Sequence, residues 1–269
     1  MHRITSRRNP LVARFRDVAR GGVADRILLD GEHLLSDAVS AGATVEVAAF
    51  AEDAADDRLA ALADRVRRSD GTVVVVTAQV LDAISPVRQP SGVVAIAARP
   101  TSALEQAFGT APQLVVLLAD VQDPGNVGAI IRAAEGCGAT GVIAVGRTAD
   151  PFGWKALRGA MGSTLRLPVV TGQSLAAAVE HARARRIRVF ATAPRGGTPL
   201  PSADLRAPCA ILLGGEGPGL PAAAIDAADG RLTIPMRAGI ESLNVAVAAA
   251  IVLYEASRQR MERTDVAVR

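Results

Sequence analysis

The 269-residue sequence predicts an α/β protein built on parallel sheet. Three observations carry this. Short apolar runs of three to six residues recur along the chain and alternate with segments of helical periodicity. Those runs are mostly continuous in apolar residues rather than alternating, as expected of strands covered on both faces. And 49% of residues are hydrophobic against 21% charged, enough apolar surface for a sizeable core. The segment 99–113, "RPTSALEQAFGTAPQ", is rich in turn-forming residues and is read as a linker between domains 1–98 and 114–269.

Taken in order, the first half offers strands Ile27–Leu29, Val45–Ala49, Val73–Thr77 and Val93–Ala97. Between them lie helical patterns over about Leu11–Ala19, Glu32–Ala41, Arg58–Arg67 and Ala78–Ala83. The stretch "AEDAADDRLAALADR" reads as one Ala-rich helix. The second half offers strands Leu114–Ala119, Gly141–Val145, Arg188–Thr192, Cys209–Leu213 and Leu232–Ile234. There is no internal repeat.

Several classes drop out on composition. The N-terminus "MHRITSRRNP" is basic and polar with no apolar stretch behind it, so no signal peptide is expected. The longest apolar run, Val245 to Tyr254, is too short to span a bilayer. Cys137 and Cys209 lie in apolar runs without metal-ligand spacing. Two buried free thiols, no metal and a cytoplasmic location are the expectations.

Net charge is +3, unevenly spread. Residues 1–20 hold Arg3, Arg7, Arg8, Arg14, Arg16 and Arg20 against only Asp17, a local charge of +5 that suits a polyanion such as nucleic acid. Lys155 is the only lysine, so Arg is the default base everywhere and a single Arg says little. Aromatic residues are 3% of the chain, too few for an extensive base-stacking platform.

Ligands of open parallel sheets bind beyond the carboxyl ends of the strands. Three segments follow candidate strands there: "DVQDPGNVGAIIR" (120–132), "LLGGEGPGL" (212–220) and "IPMRAGIESLNVAVAAA" (234–250). In the first, "DPGN" is turn chemistry and Asn126 is the expected N-cap of the following helix. Arg132 falls four residues after Gly128, and side chains lean toward the helix N-terminus. Arg132 can thus lie over the bare Gly128 toward an anion-receptive helix end, or pair with Glu135 on a wet face; the stretch alone leaves both open. In the second, the glycines let backbone approach a ligand closely. The pattern matches neither a dinucleotide fingerprint nor a P-loop. Glu216 is a turn carboxylate or a ligand contact. In the third, Ser242 is the expected N-cap of a helix that is apolar all round, hence buried or part of a subunit interface. Asn244 in its first turn needs a polar partner.

Together, in this order and spacing, these segments resemble the three signature motifs of the SpoU (TrmH-like) branch of the SPOUT RNA methyltransferases: "NVGAIIR" (126–132), "ILLGGEGPGL" (211–220) and "IPMRAGIESLNVAVAAAIVLYE" (234–255). The likeness covers about 107–260. "ITSRRNPLVARFRDV", "LLDGEHLLSDAVSAG" and "QPSGVVAIA" are similar to the preceding substrate-binding domain of rRNA ribose methyltransferases, including the thiostrepton-resistance type. That domain is a small α/β RNA-binding fold found in some ribosomal proteins.

The resemblance implies a C-terminal parallel-sheet domain with a deep trefoil knot, which periodicity does not show and general topology rules disfavour. It implies S-adenosylmethionine as methyl donor, bound at Gly214, Ile234 and Leu243, beside Leu213, Gly217, Met236 and the turn Thr192–Ala193. It implies methyl transfer to a ribose 2′-hydroxyl of RNA, with ribosomal RNA expected, and a homodimer that completes each site. Arg132 matches the family's catalytic Arg. Asn126 would hold the ribose or that Arg, Glu216 would position Arg132 or ligand, and Ser242 with Asn244 would complete the hydroxyl and phosphate pocket. A guanidinium is permanently charged, so an orienting or phosphate-clamping role accounts for Arg132 as well as a role as base does. Arg7, Arg8, Arg14 and Arg16 are the expected RNA contacts. A tRNA ribose methyltransferase, an antibiotic-resistance enzyme and a non-catalytic RNA-binding protein are the alternatives.

Overall fold

A computed structural model describes residues 2–53, 57–110, 112–215 and 219–267, with side chains described as far as Met261. The elements run β1 (His2–Ile4), α1 (Pro10–Ala19), β2 (Arg26–Asp30), α2 (Glu32–Ser40), β3 (Val45–Ala51), α3 (Asp57–Arg68), β4 (Thr72–Val76), α4 (Ala78–Ile84), β5 (Val93–Ala98), α5 (Leu104–Phe108), β6 (Leu114–Ala119) and α6 (Pro124–Gly136). They continue with β7 (Gly141–Val145), α7 (Trp154–Ala160), α8 (Ser163–Arg166), β8 (Val169–Gln173), α9 (Leu175–Ala184), β9 (Arg188–Thr192), β10 (Thr198–Pro199), β11 (Cys209–Gly214), α10 (Ala222–Asp226), β12 (Gly230–Thr233) and α11 (Val245–Ala267). The chain forms two compact units, Met1–Pro100 with Phe152–Arg166, and Thr101–Pro151 with Leu167–Arg269.

The first unit is a five-stranded sheet in the order β1-β4-β3-β5-β2. It is mixed, not parallel: β5 runs antiparallel to both β2 and β3. Strands covered on both faces read as apolar runs whichever way they point, so composition could not reveal the reversal. β1 escaped notice because two of its three residues are exposed. α1 starts where Asn9 accepts from the Leu11 N–H at 2.9 Å and Pro10 opens the first turn. Its Val12, Phe15 and Val18 are buried against Leu28, Val74 and Ile96. The expected Ala-rich helix is shorter than its run. Ala51 ends β3, and α3 begins at Asp57.

The expected linker and boundary need correction. Leu104–Phe108 is a helix, and its Ala107 and Phe108 are buried in the core of the second unit with Leu117, Ile143 and Leu212. Phe152–Arg166, placed by the sequence in the catalytic half, belongs to the first unit, where α7 packs on β2. A polar stretch in sequence does not separate domains when its few apolar side chains find a core.

The second unit is an all-parallel seven-stranded sheet, β10-β12-β9-β11-β6-β7-β8. Every residue of β6 and β7 is buried. Register sets the site. Gly214 pairs with Ala119, and Leu232 pairs with Thr192, so the loops leaving β6, β9, β11 and β12 emerge at one edge. α11 packs against α6 above that sheet. Both cysteines are free; Cys209 is buried and Cys137 half-buried. Among the described residues, no helix is long and apolar enough to cross a membrane.

Candidate active site

A cavity of about 420 Å³ opens at the carboxyl ends of β9, β11 and β12, within the size range of small-molecule sites. It is lined by Thr192, Ala193, Leu213, Gly214, Ile234, Met236, Ser242, Leu243 and Asn244, all named from sequence. Glu216 and Gly217 lie outside the described residues. The sequence missed Pro194, Leu220, Ile225 and Leu232, and the face Val245, Ala248 and Val252 of α11. That face is legible at helical spacing once the helix is known to start at Val245.

Few side-chain donors face this cavity unspent. The Thr192 hydroxyl donates to the Leu212 carbonyl at 3.1 Å. Polar recognition therefore falls mainly to backbone groups of the bends, between apolar walls. The glycines serve loop packing. A Cβ on Gly215 would lie 2.0 Å from the Asp120 carbonyl oxygen, and one on Gly214 would lie 2.6 Å from the Leu220 nitrogen. The same glycines, Gly214 and Gly215, also line the cavity.

Two caps differ from expectation. Asp123, not Asn126, caps α6, its Oδ1 accepting from the Asn126 N–H at 2.8 Å. Pro124 fits the first helical position, which moves the helix start upstream. Asn244, not Ser242, caps α11, accepting from the Ala246 and Val247 N–H groups at 2.9 and 3.2 Å. Its amide also donates to Asn126 Oδ1 at 3.1 Å, which ties the cavity to α6. The polar partner that Asn244 needed is therefore both a helix end and Asn126.

Arg132 is exposed on α6 and does not line the cavity. No hydrogen bond or ion pair joins it to Glu135 or any other described residue. Its exposed face carries only small neighbours, Gly125, Ala129 and Gly136. Gly128, four residues before it, is buried. α11 is not buried all round either: Val247, Ile251, Tyr254 and Met261 are 49%, 37%, 64% and 65% exposed, on one stripe.

The four arginines expected to touch RNA are all exposed, yet most are engaged. Arg14 pairs with Glu46. Arg7 Nε donates to the Gln79 carbonyl at 3.0 Å and Arg16 Nε to the Ala83 carbonyl at 2.8 Å. Only the Arg8 guanidinium has no described partner.

A parallel sheet with a cofactor-sized, largely apolar cavity at its carboxyl edge, closed by a capped helix, defines an α/β enzyme of the ligand-binding type. Comparison with known proteins makes this specific. Residues 113–254 match the SpoU rRNA Methylase family. A tRNA/rRNA methyltransferase of Synechocystis is 33% identical over 263 residues, covering 96% of this chain and 94% of its own. The 23S rRNA (guanosine-2'-O-)-methyltransferase RlmB of a Burkholderia species is 34% identical over 241 residues, 88% of this chain and 98% of its own. The solved structure of the SpoU methyltransferase AviRb from Streptomyces viridochromogenes, in complex with AdoMet, superposes with a TM-score of 0.87 at 29% identity over 94% of this chain and 99% of that one. The chain belongs to the SpoU methyltransferase family.

Proposed function

We propose that this protein is an S-adenosylmethionine-dependent methyltransferase acting on a ribose 2′-hydroxyl of RNA, with ribosomal RNA as substrate. The observation that carries the reading is the cavity itself, which gathers seven expected residues of the second and third family motifs together with the turn Thr192–Ala193. The residues fit the cofactor: apolar walls from Leu213, Ile234, Met236 and Leu243 suit an adenine and an aliphatic chain, and the bends supply backbone donors and acceptors. When bound, the cofactor supplies an electrophilic sulfonium methyl group. The chain's own groups hold the acceptor. Asn244 and Asn126, linked at 3.1 Å, fix the floor on which the ribose is seated. Arg132, permanently cationic and without a partner among the described residues, clamps the adjoining phosphate and orients the hydroxyl. Ser242 completes the hydroxyl pocket.

The working unit in this reading is a homodimer. The stripe Val247, Ile251, Tyr254 and Met261 is a helix face with no cover. Ile251 and Tyr254 also border a second hollow of about 240 Å³ with Leu200, Pro201 and Pro235. A second copy would cover this surface. It would also give Arg132, on its face of small residues, a site to complete. The trefoil knot implied by the resemblance belongs to the same proposal. Its support is that the chain leaves β12 near one edge of the sheet and returns to pack α11 on α6. Residues 1–98 would recognise the RNA, in the cytoplasm.

The test is transfer of a labelled methyl group from S-adenosylmethionine to ribosomal RNA, followed by nuclease digestion. The expected product is one nucleoside carrying a 2′-O-methyl group. No transfer to ribosomal or transfer RNA would overturn the reading.

A further inference from the structure

We propose that Arg147, Arg195 and Arg237, on the loops that leave β7, β9 and β12, form a rim that binds the phosphate backbone of the RNA on the catalytic unit. The inference rests on the RNA methyltransferase reading and adds a substrate surface to it.

Arg195 follows Pro194 and Arg237 follows Met236, both of which line the cavity, so the two stand at its mouth. All three arginines are exposed. No described residue accepts a hydrogen bond from their guanidinium groups; the nearest ion contact is Arg147 Nε to Asp120 Oδ1 at 3.8 Å. Arg183 and Arg231 of this unit make ion contacts of similar length, 3.7 and 3.6 Å, whereas Arg206 and Arg258 are held in close pairs with Asp204 and Glu255. Arg260 is spent on the carbonyls of Pro112, Gln113, Leu205 and Ala207.

The turn bearing Arg147 is built. The Asp120 carboxylate accepts from the Arg147 N–H at 2.7 Å, and the Thr148 hydroxyl donates to the Leu118 carbonyl at 3.0 Å. The Ala149 N–H donates to the Val121 carbonyl at 2.8 Å. Asp120 and Gly146 both hold left-handed backbone, at φ 60° and 64°. A Cβ on Gly146 would lie 2.6 Å from Asp120 Oδ1. Strain of this kind persists only where neighbouring structure enforces it. Here it straps the turn to the loop that leads into Asn126, and the side chain displayed is 81% exposed. Two nearby carboxylates are engaged by backbone, Asp120 by the Arg147 N–H and Asp123 by the Asn126 N–H, while Asp150 and Glu241 are exposed near Arg147 and Arg237 in the sequence.

Strand spacing sets the scale. β12 and β7 are four positions apart in the sheet, about 19 Å at the usual spacing of about 4.8 Å. The rim therefore follows several nucleotides across the face that holds Asn126. Arginine is suited to this because its planar fork takes phosphate oxygens in pairs.

The experiment uses the full chain with Arg147→Ala, Arg195→Ala, Arg237→Ala, the triple variant, and Arg186→Ala as an exposed control before β9, at the other edge of the sheet. RNA binding is measured over a range of salt, S-adenosylmethionine binding by calorimetry, and methyl transfer by kinetics. Each phosphate contact contributes about 0.7–0.9 to the salt slope. The triple variant should lose about 2 units of slope and raise the KM for RNA roughly tenfold. Its cofactor affinity, and every property of the control, should stay as in wild type. A triple variant with wild-type slope and KM overturns the rim. So does a fall in cofactor affinity with an unchanged slope, which would assign the arginines to the cofactor carboxylate. A wild-type protein that binds RNA but transfers no methyl group would overturn the enzyme reading and leave the rim to be judged on the slopes.

Discussion

Replacing Asn244 separates two roles that one amide plays. Its Oδ1 caps α11 through the Ala246 and Val247 N–H groups at 2.9 and 3.2 Å, and its Nδ2 reaches Asn126 Oδ1 at 3.1 Å. Asn244→Ala removes both. Loss of a cap costs about 1 kcal/mol; loss of an exposed side-chain hydrogen bond adds about 0.5–1 kcal/mol. The sum, about 1.5–2 kcal/mol, lowers the urea midpoint by roughly 0.6–0.8 M at a slope of about 2.5 kcal/mol per M. Asn244→Asp keeps a cap acceptor and places negative charge at the helix N-terminus, where it is favourable. It removes only the donor to Asn126. Its urea midpoint should therefore stay near wild type while methyl transfer falls, with kcat reduced more than cofactor affinity. Urea unfolding, calorimetry with S-adenosylmethionine and a tritium-transfer assay measure the three quantities. An Asn244→Ala protein as stable as wild type would refute the capping argument. An Asn244→Asp protein of full activity would refute the link to Asn126.

Arg132→Ala should lose most methyl transfer and keep S-adenosylmethionine affinity within a few fold, since Arg132 does not line the cavity; activity near wild type in the tritium assay removes its role. Gly215→Ala should fail to assemble the site, because its Cβ would meet the Asp120 carbonyl at 2.0 Å and both atoms are backbone-bound; calorimetry should show cofactor binding lost. Light scattering should give about twice the 27.7 kDa chain mass, and Ile251→Asp, on the uncovered stripe, should shift it to one. Hydrogen bonds from Arg258 and Gln259 lower the Glu255 carboxyl to about 2. A lowered folded-state value means its stabilisation is fully present above the unfolded value of about 4.5. It is lost as pH falls from there toward 2, so Glu255→Gln should flatten the acid limb of thermal stability over that window.

Those expectations draw on different depths of legibility. Five of the seven strands of the catalytic unit were readable because a covered strand is apolar on both faces, and Leu114–Ala119 and Gly141–Val145 match residue for residue; β8 and β10, largely exposed, were missed. The position of the cavity was readable as well, because two of its lining segments, 212–220 and 234–250, each follow such a strand. The direction of β5 was not readable, since apolarity reports burial and not direction. Nor was the pairing of Arg14 with Glu46, which are brought together only by the fold. Arg3 likewise meets Glu52, so two of the six arginines of the N-terminal arm face a carboxylate. The exposed arginines of the sheet edge, unremarkable in sequence because Arg is this chain's common base, emerged only from the structure.

The two misplaced caps show where local reading fails and why. "ESLN" offers two cap-forming side chains two residues apart, and "DPGN" offers two three apart. Propensity ranks Asn, Asp and Ser nearly alike at this position. What decides is which oxygen reaches free N–H groups two and three residues on. In "DPGN" that is Asp123, because Pro124 suits the first turn and its missing N–H costs nothing there. In "ESLN" it is Asn244, which leaves Ser242 and Leu243 outside the helix and facing the cavity. The later start is what makes the site. A helix begun at Leu243 would turn that residue into its own first turn. Begun at Val245, it leaves Leu243 as cavity wall and sets the Asn244 amide 3.1 Å from Asn126.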